Sequence, residues 1–227
     1  MIENYIIEPF DSNNTYSTLY KGIHKLKEHK VIIKMNYDSL SKKLLDNEIK
    51  IYLYLFKHKF YDIPSIKNIG SLNDKTKYII MEYKENNLSH GEVTVNKINQ
   101  VYSILKKLHT LNIVHRDIKP ENFLIDKDKI YIIDFGLSGF YSMNIVFKKM
   151  IGNPKYCSIN CQKNLYVYEY KDDFFSMIYM FLHLNNPMII WKCSMKENPF
   201  QYYESNEIND YLKYLWINLI EQPLPLW

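Results

Sequence analysis

His115-Arg116-Asp117-Ile118-Lys119-Pro120-Glu121-Asn122, followed after a strand-like apolar run at 130–133 by Asp134-Phe135-Gly136, decides the reading of this 227-residue chain. Each polar member has a separate physical job open to it. Asp117 can accept or orient the proton of an attacking hydroxyl, and Lys119 can stabilise charge on a moving phosphoryl group. Asn122 with Asp134 offers the hard oxygen ligands that magnesium prefers. One such residue in a polar loop is ordinarily an accident of composition. The whole set in this order is not.

Working outward, an ammonium near phosphates needs a partner to aim it, and the amino-terminal half holds a candidate pair. Val31-Ile32-Ile33-Lys34 reads as a strand ending in a lysine, and Glu48 lies on a predicted helix between 39 and 58. There Leu40, Leu44, Leu45, Ile49, Tyr52 and Leu53 recur at three- and four-residue steps, the mark of one buried face. Taken alone, either charge is a surface residue in a chain rich in Lys and Glu. Short alternating runs at 16–20, 31–35 and 78–83 are predicted strands. A polar connection at 84–92 leads to helical patterning with Ile98, Val101, Tyr102, Leu105 and Leu108 on one stripe, then further helices over 172–184 and 207–219. The class expected is α+β: a small antiparallel sheet carrying one helix, then a mainly helical half, with a ligand site at their junction.

Composition narrows the function classes. At 47% hydrophobic residues and a formal charge of +4, the chain is globular and carries no basic block of the kind that binds nucleic acid or a membrane surface. Lys and Tyr are spaced throughout, which argues against an RNA-binding surface. No apolar run reaches the ~18 residues of a membrane span, and no leader pattern precedes 1–5. Cys157, Cys161 and Cys193 lack metal-ligand spacing, so a reducing intracellular compartment, cytoplasmic or nuclear, is expected. Alanine is absent and Arg116 is the only arginine. That bias suggests an AT-rich genome, as in a virus, parasite or symbiont, with a viral protein then acting in its host.

The 115–136 stretch resembles the catalytic loop and metal-binding turn of eukaryotic protein kinases, and Lys119 matches the serine/threonine type of that loop. Gly152-Asn153-Pro154-Lys155-Tyr156-Cys157-Ser158-Ile159-Asn160 and Lys171-Asp172-Asp173-Phe174-Phe175-Ser176 look like casein kinase I and its vaccinia-related relatives, as a shortened and divergent member. The resemblance spans roughly 9–220. It implies a single bilobal kinase domain over 1–227, with an N-lobe at about 1–83, a hinge at about 82–86, a C-lobe at about 87–227 and a truncated C-terminus. It implies ATP and Mg2+, with Asp117 and Lys119 catalytic and Asn122 and Asp134 on the metal. Lys34 paired with Glu48 would hold ATP phosphates, Met81 would be the gatekeeper, Glu82 and Tyr83 would present hinge backbone groups to adenine, and Leu124 would pack beneath it. Asp173 would anchor the catalytic loop by hydrogen bonds to its backbone. Lys155 would read an acidic or already phosphorylated protein substrate.

The sequence departs from that pattern in places. The three glycines of the phosphate-covering loop fall on Ser12, Asn14 and Ser17, where close approach to phosphate ordinarily favours glycine. Ile32 replaces a small residue near adenine, Ile178 a glycine, and Asn153 a threonine that helps position Asp117. Two readings follow: an active serine/threonine kinase, or a pseudokinase that keeps the fold as a binding or regulatory module.

Overall fold

The computed structural model describes residues 2–10, 17–89, 91–188 and 193–221. They fall into two compact units, Met1–Glu85 with Tyr131–Gly136, and Asn86–Ile130 with Leu137–Trp227.

In the first unit five antiparallel strands lie in the order β1 (Tyr5–Pro9), β2 (Thr18–His24), β3 (Lys30–Met35), β5 (Lys77–Glu82) and β4 (Ile66–Ser71). The strand expected at 16–20 runs instead to His24, and β1 and β4 add edges that the residue pattern did not single out. Register puts Lys34 opposite Leu19 and Ile79, and Met81 opposite Ile32 and Ile66. Because strand side chains alternate, Val31 and Ile33 pack with Tyr78 and Ile80 on one face. Lys34 emerges on the other.

That face receives α1 (Ser39–Lys57), which starts at a capping box: Asp38 accepts the Ser41 N–H, and Ser41 Oγ accepts the Asp38 N–H. The helix buries Ser41, Leu45, Glu48, Ile51, Tyr52 and Leu55. Leu40 and Leu53, expected on the apolar stripe, are 54% and 57% exposed. The helix is turned from the phase that apolar residues alone suggest, because the 41-45-48-52-55 repeat has a serine and a glutamate in it.

The second unit is mainly helical. β6 (Asn86–Asn87) pairs with β8 (Phe123–Asp126), placing Asn87 opposite Leu124. α2 (Val95–Thr110) is capped by Thr94 and leads into β7 (Ile113–Val114). β9 (Lys129–Ile132) runs across the division between the units. Afterwards come β10 (Gly139–Phe140), paired with β7, and β11 (Val146–Phe147), paired with β12 (Tyr166–Val167). α3 (Tyr170–Asn185) is buried continuously from Ser176 to Leu182, Ile178 included. A helix apolar on all sides belongs at the centre of a unit. α4 (Glu207–Glu221) packs against it. No helix among the described residues is long and apolar enough to cross a membrane.

Candidate active site

β3, α1 and the turn after β9 bring three of the predicted residues together. Lys34 Nζ lies 2.7 Å from Glu48 Oε2 and 2.8 Å from Asp134 Oδ1. Burial disfavours the ammonium, but the two carboxylates, Asp134 first, outweigh it and lift the lysine above its ordinary pKa. Glu48 is shifted up by the same burial, with Lys34 opposing. The lysine is therefore fixed as a cation with its direction set from two sides.

α1 also grips the Asp134–Gly136 turn. Asn47 Nδ2 donates to the carbonyls of Phe135 and Gly136 at 3.2 and 3.0 Å. The Tyr52 ring stands edge-on to Phe135 at 5.1 Å. Asp134 itself takes a φ of 67°, a left-handed conformation that Asp tolerates better than most residues. Asn47 escaped the sequence reading, its only signal being its place beside Glu48, and Tyr52 entered that reading as part of the buried stripe and not for its contact with Phe135.

In the second unit the loop after β7 assembles another set. Asp117 Oδ2 is 2.7 Å from Lys119 Nζ. Asn122 Nδ2 donates to the Asp117 backbone carbonyl at 2.7 Å and to its carboxylate at 3.2 Å. With its nitrogen so used, the amide oxygen of Asn122 is the atom left for a cation. A carboxamide oxygen is one of the hard ligands that suit Mg2+, which binds through few protein oxygens and completes its shell with water and phosphate. No cluster of three or more His, Cys, Asp or Glu among the described residues could hold a metal without such help.

The loop is suspended from α3. Asp173, fully buried, accepts hydrogen bonds from the backbone of His115 (2.8 Å) and Arg116 (3.0 Å), from His109 Nε2 (3.0 Å) and from the Tyr168 hydroxyl (2.7 Å). Burial raises its pKa, yet the His109 hydrogen bond, the charges of His109 and His115 and the backbone donor together carry it below the ordinary value. Its neighbour Asp172 turns to a different loop, accepting from Ser158 Oγ, Asn160 Nδ2 and the Glu169 N–H. Ser158 and Asn160 are the polar ends of the Ser-Ile-Asn run, so the two segments noticed in the sequence hold each other.

Other expectations meet a different geometry. The Glu82 N–H donates to the Ser65 carbonyl at 2.9 Å and the Tyr83 N–H to Lys30 at 3.2 Å. Neither donor can serve an adenine edge, because the strand ladder continues past Met81 and consumes both. Met81 is buried, while Leu124 and Ile32 are half-buried. Lys155 Nζ lies 2.7 Å from His183 Nε2, and burial, aided by that lysine, lowers the histidine's pKa. The Lys155 ammonium is thus engaged within the chain. Asn153 turns back on its own loop, accepting the Lys155 N–H at 2.9 Å. Ser17 is buried with no partner for its hydroxyl among the described residues. Ser12 and Asn14 lie outside those residues.

Comparison with known proteins agrees on one family. A model of the protein kinase domain matches residues 13–222. A Dictyostelium discoideum protein named as serine/threonine-protein kinase MARK-A is 30% identical over 175 residues, covering 69% of this chain and 16% of its own length. Calcium-dependent protein kinase 3 of Plasmodium yoelii yoelii is 33% identical over 184 residues, with 71% of this chain and 32% of its own covered. A protein of Acanthamoeba polyphaga mimivirus, also named as a serine/threonine-protein kinase, is 28% identical over 228 residues, which take in 91% of this chain and 80% of its own.

Proposed function

Because the chain belongs to the protein kinase domain family, we propose that it is a serine/threonine protein kinase that transfers the terminal phosphate of ATP to protein hydroxyls. The observation that carries this reading is Lys34 held between Glu48 and Asp134 at 2.7 and 2.8 Å, since a buried ammonium so aimed is what a nucleotide phosphate requires.

In this reading Lys34 draws the nucleotide phosphates into line and Glu48 keeps it extended. Asp117 takes the hydrogen bond of the substrate hydroxyl and orients its oxygen for attack on the terminal phosphorus. The new O–P bond forms as the bond from that phosphorus to the bridging oxygen breaks, ADP leaves with that bond's electron pair, and the hydroxyl proton passes to the Asp117 carboxylate. Lys119, already 2.7 Å from Asp117, is placed to offset the charge that grows on the moving group. Asn122 and Asp134 would hold Mg2+, which when bound neutralises phosphate charge. Met81 limits the depth of the adenine slot and Leu124 packs against the base. The Glu82 and Tyr83 carbonyls, rather than their occupied N–H groups, would meet its edge.

A casein kinase I-like type is the finer proposal, supported by the pairing of Ser158 and Asn160 with Asp172. The same likeness favours acidic or phosphorylated protein substrates near Lys155, which would have to leave His183 to meet them.

The test is incorporation of labelled phosphate into casein with ATP and magnesium, beside Asp134→Asn. Equal labelling by both proteins overturns the proposal. A pseudokinase blind to nucleotide would show no rise in melting temperature on adding ATP and magnesium, whereas a ligand that binds only the folded state raises it, and phosphate transfer is then read from the labelling assay.

A further inference from the structure

Arg116 is the only arginine in the chain, and its surroundings are not those of an ion-paired guanidinium. Its Cζ lies 4.9 Å from the Phe147 ring centroid and 5.7 Å from that of Tyr168. Its Nε is buried with no hydrogen-bond partner among the described residues. The backbone there takes a φ of 69°. Two glycines press on it from one segment: a Cβ on Gly139 would stand 2.6 Å from Nη1, and one on Gly152 would stand 2.1 Å from the Arg116 carbonyl oxygen. Phe147 is itself fixed, stacked on Tyr166 at 5.5 Å across the β11–β12 pair. The Tyr166 hydroxyl in turn accepts the Ile151 N–H. Gly139, Phe147 and Gly152 therefore all meet the loop that carries Asp117 at this one residue.

We infer that Phe147 is a positioning residue, seating the Arg116 guanidinium by a cation–π contact and thereby holding segment 139–152 on the catalytic loop with no phosphate group on that segment. The inference rests on the kinase reading for its consequence, though not for its geometry. A guanidinium is weakly hydrated and stacks well on aromatic faces, and the contact strengthens where water is excluded. Ser138, a hydroxyl within reach of the same loop, is buried and donates to the His115 carbonyl at 3.1 Å, so it acts as a tether. Phe147 belongs to none of the motifs that mark the chain as a kinase.

The test compares the full chain with Phe147→Leu, which removes the ring, and Phe147→Tyr, which keeps it. Amide hydrogen exchange is read across 139–151 against α2 as internal standard. Arg116 and Phe147 are both half-buried, and loss of a cation–π contact between them corresponds to roughly 2- to 30-fold faster exchange in the segment. Phe147→Leu should show that, with the KM for casein raised by a similar factor and the KM for ATP unchanged. Phe147→Tyr should stay near the parent in all three, and phosphatase treatment of the parent should alter none of them. Unchanged exchange in Phe147→Leu, or a segment loosened by phosphatase, overturns the inference. Faster exchange in Phe147→Leu from a parent chain that labels no casein would sink the kinase reading and leave the Phe147 contact standing.

Discussion

Replacing Asp173 by asparagine exchanges one oxygen for an NH2 group at a fully buried site, and the loss can be worked from the four bonds it makes. One carboxylate oxygen accepts from His115 N–H and His109, the other from Arg116 N–H and the Tyr168 hydroxyl. An amide keeps a single oxygen, so one pair of donors faces another donor. The cheaper arrangement turns the NH2 toward Tyr168, whose hydroxyl can rotate to accept, and strands the Arg116 N–H. A buried donor without an acceptor costs about 1–3 kcal/mol, and the remaining bonds lose their charge assistance. A total of about 3 kcal/mol is expected, or roughly 6–12 °C in melting temperature for a chain of this size. Urea unfolding and casein labelling would read it, with Tyr168→Phe as the control that removes one donor and costs about 1 kcal/mol. The pH dependence adds a signature. A carboxyl held below its ordinary value contributes stability that is complete above an unfolded pKa of about 3.9 and fades as pH falls through the lower folded value. The variant should therefore lose that part of the parent's acid sensitivity below about pH 4. If Asp173→Asn costs no more than Tyr168→Phe, the claim that α3 suspends the catalytic loop is wrong.

Glu48→Gln leaves Lys34 with Asp134 as its one ionic partner and a neutral amide oxygen in place of the second, and a tenfold or greater rise in the KM for ATP is expected from the loss of ~1.4 kcal/mol or more in alignment; steady-state kinetics would show it. Gly152→Ala forces a Cβ against the Arg116 carbonyl at a φ of 86°. It should cost more than about 2 kcal/mol in urea unfolding, whereas alanine at Gly91, where only the end of the Lys97 side chain is near, should cost less. The His183 pKa is lowered, so its contribution to stability is present above its unfolded value of about 6.5 and is lost as pH falls through the folded one. Melting curves between pH 7 and pH 5 should slope more steeply for the parent than for His183→Asn.

Much of the site was legible because its residues act within a few positions of one another. Asp117, Lys119 and Asn122 lie in a single turn of loop, so short-range geometry brings them together, although the loop as a whole hangs from Asp173 on α3. Lys34 and Glu48 needed only a strand and the next helix. The phase of that helix was not legible: a stripe drawn through Leu40 and Leu53 treats polarity as exposure, and here Ser41 and Glu48 are buried because each has a job inside. Asn47 was hidden for the same reason, a small amide whose two acceptors lie nearly ninety positions away in the chain. The hinge donors misled in another way, since sequence shows that Glu82 and Tyr83 have N–H groups and not that Ser65 and Lys30 already hold them.

Asp172 and Asp173 are adjacent on α3 yet hold different loops, because successive residues on a helix point about 100° apart. One rigid rod thus carries both the Ser158–Asn160 segment and the His115–Arg116 segment on neighbouring rungs. Loops pinned to a common rod do not wander independently. Thermal drift in one is shared by the other, so their relative spacing holds even while both move against the rest of the protein. A one-residue deletion ahead of Asp172 would dephase both together, and no substitution within either loop could restore the match.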